Sequence, residues 1–260
     1  PPPGAAPGGE VIPDATLLQR AREATRDKDV ERWLRAYVTD VERGFAGTGR
    51  NCPLRTRRAL LDQGAVAFAA EVLRAREGAH GDAVVKLAWD VVHHAVARGD
   101  HADPAEHATA EEALDTPGKP SIIQLVVAEA NRKPWRQDGD VLRTAFLALS
   151  TAASLEKFVP RVIAAQGLRA CADIISNRAI LNNVKSEHYK GNYDRALRTL
   201  QNAALFPLAK RALLAVNALE LAAGLQDVTV PRDASTTTAL RLAAASLVIR
   251  LAGRDEVGVG

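Results

Sequence analysis

Methionine is absent from all 260 residues, cysteine occurs only twice, and aromatic residues make up 4% of the chain. Two cysteines, Cys52 and Cys171, do not supply the disulfide framework of a small secreted fold. Cys171 lies on an apolar helical face and reads as a small core residue. With so few rings, the core has to be built from Ala, Leu, Val and Ile. That suits closely packed helices better than a β-sandwich, whose strands favour aromatic and β-branched residues. No apolar run approaches the roughly 18 residues needed to span a bilayer. The opening PPPGAAPGGE has no basic stretch followed by an apolar one, so no secretory signal is expected. A reducing, cytosol-like compartment is the expected setting.

Charge of one sign is also missing. The chain has 34 Lys and Arg against 31 Asp and Glu, with a pI near 9.0. This mild excess permits an acidic partner and does not demand nucleic acid. Nor is there a P-loop, a Gly-x-Gly-x-x-Gly after a strand pattern, or a Gly-x-Ser-x-Gly elbow. His93 and His94 are adjacent and point about 100° apart on a helix, so they do not share a metal. His101, Asp103 and His107 lack a completing ligand and read as an exposed polar loop. Glu111 and Glu112 read as surface charge. No catalytic residue, cofactor or metal is expected, and no small-molecule substrate.

What the chain does contain is a repeated break. AAQGLRACADII (164–175) echoes LDQGAVAFAAEVL (61–73), a Gly-marked interruption followed by a small-apolar stretch. Internal repetition decides architecture, so it is read first. Ile12, Val66, Lys119, Leu168 and Leu219 take matching places, at spacings of 54, 53, 49 and 51 residues. A longer amphipathic helix follows each short one, expected over 28–46, 82–98, 140–154, 192–205 and 235–252. Asp140, Asn192 and Asp233 stand at or near the starts of three of these, as capping residues would.

This pattern resembles the armadillo repeat, with HEAT-type hairpins as its near neighbour. VIAAQGLRACADIIS and ALLDQGAVAFAAEVL carry that family's turn and second helix, and LRTAFLALSTAAS and LRTLQNAALF resemble its third helix. The resemblance implies an all-α fold, a right-handed α-solenoid of about five repeats over 12–253. A flexible Pro/Gly-rich segment (1–11) would precede it and a short tail (254–260) would follow. The period exceeds the family's usual length of about 42 residues, and the excess is read as insertions near 99–119 and 178–192.

Such a solenoid lines a concave groove with its third helices. The family's asparagine ladder carries over to Arg43, His93, Thr151, Asn202 and Arg250, of which only Asn202 keeps the family's residue. One turn earlier, where importin-alpha carries tryptophans, stand Thr39, Trp89, Leu147, Arg198 and Ser246, and only Trp89 matches. Lys86 and Arg195 lie seven positions before the ladder. A basic groove is therefore expected, built from Arg43, Lys86, Trp89, His93, Thr151, Arg195, Arg198, Asn202 and Arg250. Its expected ligand is an extended acidic segment of a partner protein, with guanidinium forks on carboxylates and the ladder amide on backbone. Trp33 and Tyr37 read as packing, whereas Trp135 in a basic turn reads as a contact residue or as packing. The implied function is a non-enzymatic scaffold, as a subunit of a larger assembly, in a eukaryotic cytoplasm; cytoskeletal, ciliary and organelle-associated complexes stay open. The alternatives are a basic solenoid that binds RNA or DNA, which would want more interleaved aromatic residues, and a regulatory subunit of an enzyme complex.

Overall fold

The computed structural model describes residues 12–43, 45, 52–75, 79–97, 103–132, 139–177, 187–229 and 234–253. Among these, fourteen α-helices and one short 3-10 turn (Glu156–Phe158) account for the regular structure. In chain order the helices are α1 (Ala15–Glu23), α2 (Asp27–Arg43), α3 (Leu54–Asp62), α4 (Ala65–Arg74), α5 (Asp82–Val96), α6 (Pro104–Leu114) and α7 (Ile122–Asn131). They continue as α8 (Gly139–Ala153), α9 (Val159–Ala164), α10 (Gly167–Ser176), α11 (Glu187–Ala203), α12 (Pro207–Ala215), α13 (Ala218–Leu225) and α14 (Ala234–Ala252). From α3 onward they group in threes, two short helices and a long one, four times. The first repeat shows two helices.

Three of the short-helix pairs turn on one left-handed residue: Gly64 (φ 69°), Gln166 (φ 63°) and Asn217 (φ 57°). Each stands two positions before Val66, Leu168 and Leu219, so the repeat register holds at these places. The break itself is not where the glycine stands in AAQG. Gln166 makes the turn, at the cost an L-residue bears there, and Gly167 is the first residue of α10. Gly167 is needed for closeness, since a Cβ would come within 3.0 Å of Leu149 Cδ1 and Val162 Cγ1 and 3.1 Å of the Val162 carbonyl oxygen.

Three expectations need correction. Lys119 is not the start of a helix; Ile123, second residue of α7, takes the place of Val66 and Leu168, and the spacings become 57, 45 and 51. The surplus around 99–119 is mostly a first helix, α6. Asp103 caps it by accepting from Glu106 N at 2.8 Å, and Pro104 opens it. Asn192 is no cap either. It is the sixth residue of α11 and fully buried, because that helix begins at Glu187. Residues 178–186 of the second supposed insertion, and Asp233, lie outside the described residues.

The chain divides into two compact units, 1–125 and 126–260, with the division inside α7. In the first, α2 packs on α1 and α5, while α5 also packs on α4, α3 and α6. Its core holds Leu34, Tyr37, Leu60, Val66, Val84, Val85 and Val92. In the second, α11 packs on α8, α10 and α14, around Phe146, Leu149, Phe158, Leu197, Leu200 and Leu247. Ala145, Ala148 and Ala152 of α8 and Ala196 and Ala203 of α11 are buried to 1% exposure or less, and such small side chains let two helix backbones approach. An aliphatic, alanine-rich chain therefore fills its core with helices, as its lack of rings requires.

Candidate interaction surface

In each unit the long third helices stand side by side. In the first unit α2 and α5 are clamped at both ends. At one end Asp27 Oδ1 meets His80 Nδ1 at 2.8 Å, and Asp27 Oδ2 accepts from Gly81 N at 2.9 Å. At the other, Glu42 Oε1 meets His94 Nε2 at 3.3 Å. Burial pushes the Asp27 carboxyl up, but the Gly81 N–H and His80 outweigh it and hold it below its usual value. The His94 hydrogen bond outweighs burial at Glu42 and holds its carboxyl low. Between the clamps, Trp89 is 1% exposed and belongs to the core, so it offers no ring to a ligand. His93 is half-buried against the edge of His94, ring centroids 5.2 Å apart. Lys86 is exposed.

At the first repeat α2 borders a shallow depression of about 490 Å³. Asp14, Leu17, Arg32, Arg35, Ala36, Thr39, Asp40 and Arg43 line it. One of these, Arg43, is an expected groove residue, and Thr39 stands one turn before it. Arg43 is exposed and pairs with Asp40 at 3.0 Å. Trp33 is flanked by the Arg20 and Arg32 guanidinium groups, 4.7 and 4.8 Å from its ring centroid. Tyr37, its expected face-mate, is buried and donates to Gln63 Oε1 at 2.7 Å.

In the second unit, α8, α11 and α14 are tied to one another by polar side chains. Asn202 Nδ2 donates to the Ser150 carbonyl (3.0 Å) and meets Ser150 Oγ (3.2 Å), joining α11 to α8. Gln201 Nε2 donates to the Ala243 carbonyl at 2.8 Å, and Arg250 donates to the Gln201 carbonyl at 2.7 Å, joining α11 to α14. The ladder amide therefore spends its donor on the neighbouring repeat. Thr151, 6% exposed, is likewise inward. Arg195 is half-buried; burial draws its guanidinium below the usual value, Asp194 opposes this, and Arg198 and Arg143 add to it. Arg198 is exposed and pairs with Asp194, one turn back, at 2.9 Å.

Several structural residues went unnoticed in the sequence. Arg22 donates to the Gln63 and Gly64 carbonyls at 3.0 and 2.9 Å, and Arg74 to those of Pro120 and Pro117 at 3.0 and 2.9 Å. Each is an arginine at the end of a second helix that satisfies the next repeat's turn. In both turns the glycine, Gly64 or Gly118, has positive φ, and its missing Cβ leaves room for the guanidinium. Their separation of 52 residues falls within the range of the repeat spacings, and that was the available signal. Fully buried Arg57 joins α3 to Glu106 of α6 and to the Ala97 carbonyl, with nothing in its own sequence context to mark it. Among the described residues no three His, Cys, Asp or Glu side chains gather as a metal site would require. Trp135 and His101 lie outside the described residues.

No protein-family model matches the chain, and no curated protein does. Solved structures do. A computationally designed armadillo repeat protein for modular peptide recognition superposes with a TM-score of 0.63 at 14% identity, covering 91% of this chain and 81% of that one. An engineered protein superposes equally well, TM-score 0.63 at 16% identity, over 92% and 78% of the two chains. The fold is an armadillo-like repeat solenoid. At such identities the likeness speaks for the fold alone. Among the described residues no helix of this solenoid is long and apolar enough to cross a membrane.

Proposed function

We propose that this chain is a non-catalytic scaffold whose third-helix faces hold an extended acidic segment of a partner protein. The observation that carries the reading is which of the expected groove residues stay outside. Arg43, Lys86, Arg198 and Arg250 are exposed, whereas Trp89 and Thr151 are buried and Asn202 is committed to Ser150. Recognition would thus rest on cations rather than on rings or a free amide. Arg43 and Arg198 pair with carboxylates on their own helices, an exposed arrangement worth only about 0.3–0.5 kcal/mol, so a ligand carboxylate can replace those partners. Guanidinium forks then favour carboxylates held bidentately. A nucleic acid would want stacking rings on the same face, and Trp89 is not available for that.

The test is fluorescence anisotropy of the whole chain with a labelled Asp/Glu-rich extended peptide, a Lys/Arg-rich peptide and a single-stranded RNA. The acidic peptide should bind. The double variant Arg43→Glu with Arg198→Glu should weaken it about tenfold or more, a loss of at least ~1.4 kcal/mol, with unchanged melting temperature. Arg250 is left out, since its reversal would also cut the bond to Gln201. RNA binding that falls steeply between about 50 and 200 mM salt, with no affinity for the acidic peptide, would overturn the reading.

A further inference from the structure

Arg195 stands at the middle of α11, half-buried, and holds nothing. Among the described residues no acceptor lies within hydrogen-bond or ion-pair reach of its guanidinium. Arginines kept for structure in this chain behave otherwise: Arg22, Arg74 and buried Arg57 each donate to backbone carbonyls of another segment. A charge drawn part-way out of water without an acceptor weakens a fold. Its neighbours add to that cost, since Arg143 and Arg198 act on Arg195 as like charges and Asp194 opposes them.

The three guanidinium groups share one face. On α11, Gly191, Arg195, Arg198 and Asn202 fall within an arc of about 60° at 100° per residue. Both ends of that arc touch α8. A Cβ at Gly191 would come within 2.7 Å of Arg143 Cδ and 4.0 Å of Arg143 Nε, so the Arg143 stem lies across the glycine. Asn202 reaches Ser150, two turns along α8 from Arg143. Arg195 and Arg198 stand between these two crossings, about 4.5 Å apart along the axis. A third helix packs on each flank of α11, α8 through Asn202 and α14 through Gln201, so the arc does not lie at an end of the array.

We infer that Arg143, Arg195 and Arg198 form the seat of one phosphoryl group, carried on a phosphorylated Ser or Thr of the partner segment. The inference rests on the proposed function for the kind of partner and adds the group that fixes its register. Three cations against Asp194 leave an excess of two positive charges, and a phosphorylated side chain carries close to two negative ones at pH 7. A carboxylate brings one charge and two oxygens in a plane, enough for a single guanidinium fork. The phosphoryl group brings three acceptor oxygens, so guanidinium groups arriving from two helices each find one. Arg198 spends its Nε on Asp194 and leaves its terminal nitrogens to a ligand. Arg195 gains most, because an acceptor there offsets its desolvation. A nucleic-acid backbone spreads single charges along its length and offers no one site a dianion.

Anisotropy titrations of the whole chain compare three labelled Asp/Glu-rich peptides that differ only at a central residue: Ser, phosphoserine or Glu. The phosphoserine peptide should bind about tenfold tighter than the Ser peptide or better, the worth of at least one charged hydrogen bond. Glu should recover a small part of that gain. Arg195→Met keeps an unbranched stem and drops the guanidinium. It should erase the gain and melt no lower than the parent chain, since the charge it removes has no partner in the fold. Arg169→Gln, on the exposed side of α10, should leave the gain as it is. The gain should also shrink from about pH 7.5 to about pH 5.5, as a phosphoryl group with its second pKa near 6 falls to one charge. Over that range the Ser peptide, whose carboxylates stay ionised, should hold its affinity. A gain that Glu matches, a gain that survives Arg195→Met, or a lower melting temperature in that variant overturns the inference. So does single-stranded RNA that binds more tightly than the phosphoserine peptide and needs Arg195. Acidic peptides that bind with no gain from phosphorylation overturn this inference and leave the proposed function standing. Binding of the phosphoserine peptide alone, lost in Arg195→Met, does the reverse.

Discussion

The two units stack their helices alike and fasten them differently. In the first, charge does much of the joining: Asp27 with His80, Glu42 with His94, Arg58 with Glu112 at 2.5 Å, and buried Arg57 with Glu106. In the second, amides and hydroxyls donate to backbone carbonyls: Asn202 to Ser150, Gln201 to Ala243, and Tyr193 to Ile175 at 2.8 Å. Buried alanines bring α8 and α11 close enough for short side chains to reach across. Neighbouring repeats are thus joined by charged side chains in one unit and by neutral ones in the other, on the same helix arrangement. Charge leaves one mark, which is that the fastening then depends on pH and on both partners being kept.

The comparison breaks most sharply at Arg57. Its side chain is fully buried, and Glu106 and the Ala97 carbonyl depend on it. Removing one member of a buried pair leaves an uncompensated charge and costs about 3–5 kcal/mol, whereas replacing both by apolar residues is often close to neutral. Arg57→Leu should therefore strongly lower protection from hydrogen exchange in the first unit. Arg57→Leu with Glu106→Leu should restore most of it. Equal losses in the single and double variants would show that packing of the Arg57 stem, rather than its charge, holds α3 to α6.

In the second unit the corresponding weak point is steric. Gly167→Ala places a methyl group within 3.0 Å of Leu149 and Val162, and overpacking of this kind costs about 1–3 kcal/mol. Its neighbour should respond in the opposite direction. Gln166→Gly relieves a left-handed residue and stabilises the turn by up to about 1 kcal/mol. Urea unfolding followed by hydrogen exchange in 139–177 separates the two. A tolerated Gly167→Ala would mean that α10 can shift away from α8.

Asn202→Ala tests the neutral fastening. It removes the bonds to Ser150, a net loss of about 1 kcal/mol, with any excess reflecting the Ser150 carbonyl left unsatisfied. The loss should be the same at pH 5 and at pH 8. A pH-dependent loss would show that Asn202 works through the charged residues of α11 rather than through its amide.

These sites also mark what was legible in the chain beforehand. The long helices were, because an aliphatic stripe at 3.6-residue spacing has few other ways to be buried; the expected 82–98 and 235–252 fall close to Asp82–Val96 and Ala234–Ala252. The turn position was legible through Val66, Leu168 and Leu219, although the glycine of AAQG serves packing instead. Lys119 misled because the turn before α7 is longer there, so a small-apolar phrase could be matched four residues early. Trp89 and Thr151 face inward for another reason. Whether a position faces a neighbouring helix or water depends on how far each helix is rotated, and a few degrees move a side chain across that line. Asn202 shows the remaining gap: an amide suited to hold a peptide backbone is equally suited to hold the next helix, and the sequence at 202 is the same in both cases.

The smallest effect is the one most specific to charge. Asp27 and Glu42 are held below their ordinary values of 3.8 and 4.5 in the folded chain. A depressed folded value means the carboxylate stabilises the fold at pH above the unfolded value, and that contribution fades as the pH falls through the folded one. The first unit should therefore lose protection along α2 and α5 as the pH drops below about 4.5, while the Asn202 and Gln201 bonds, which carry no charge, keep theirs. Glu42→Gln should flatten the part of that acid limb that comes from the α2 C-terminus and leave the Asp27 part at the other end in place. Both carboxylates are largely solvent-accessible, and added salt should shrink the effect further. A first unit that melts in acid no sooner than the second, in low salt, would mean that the His80 and His94 contacts orient α2 without stabilising it.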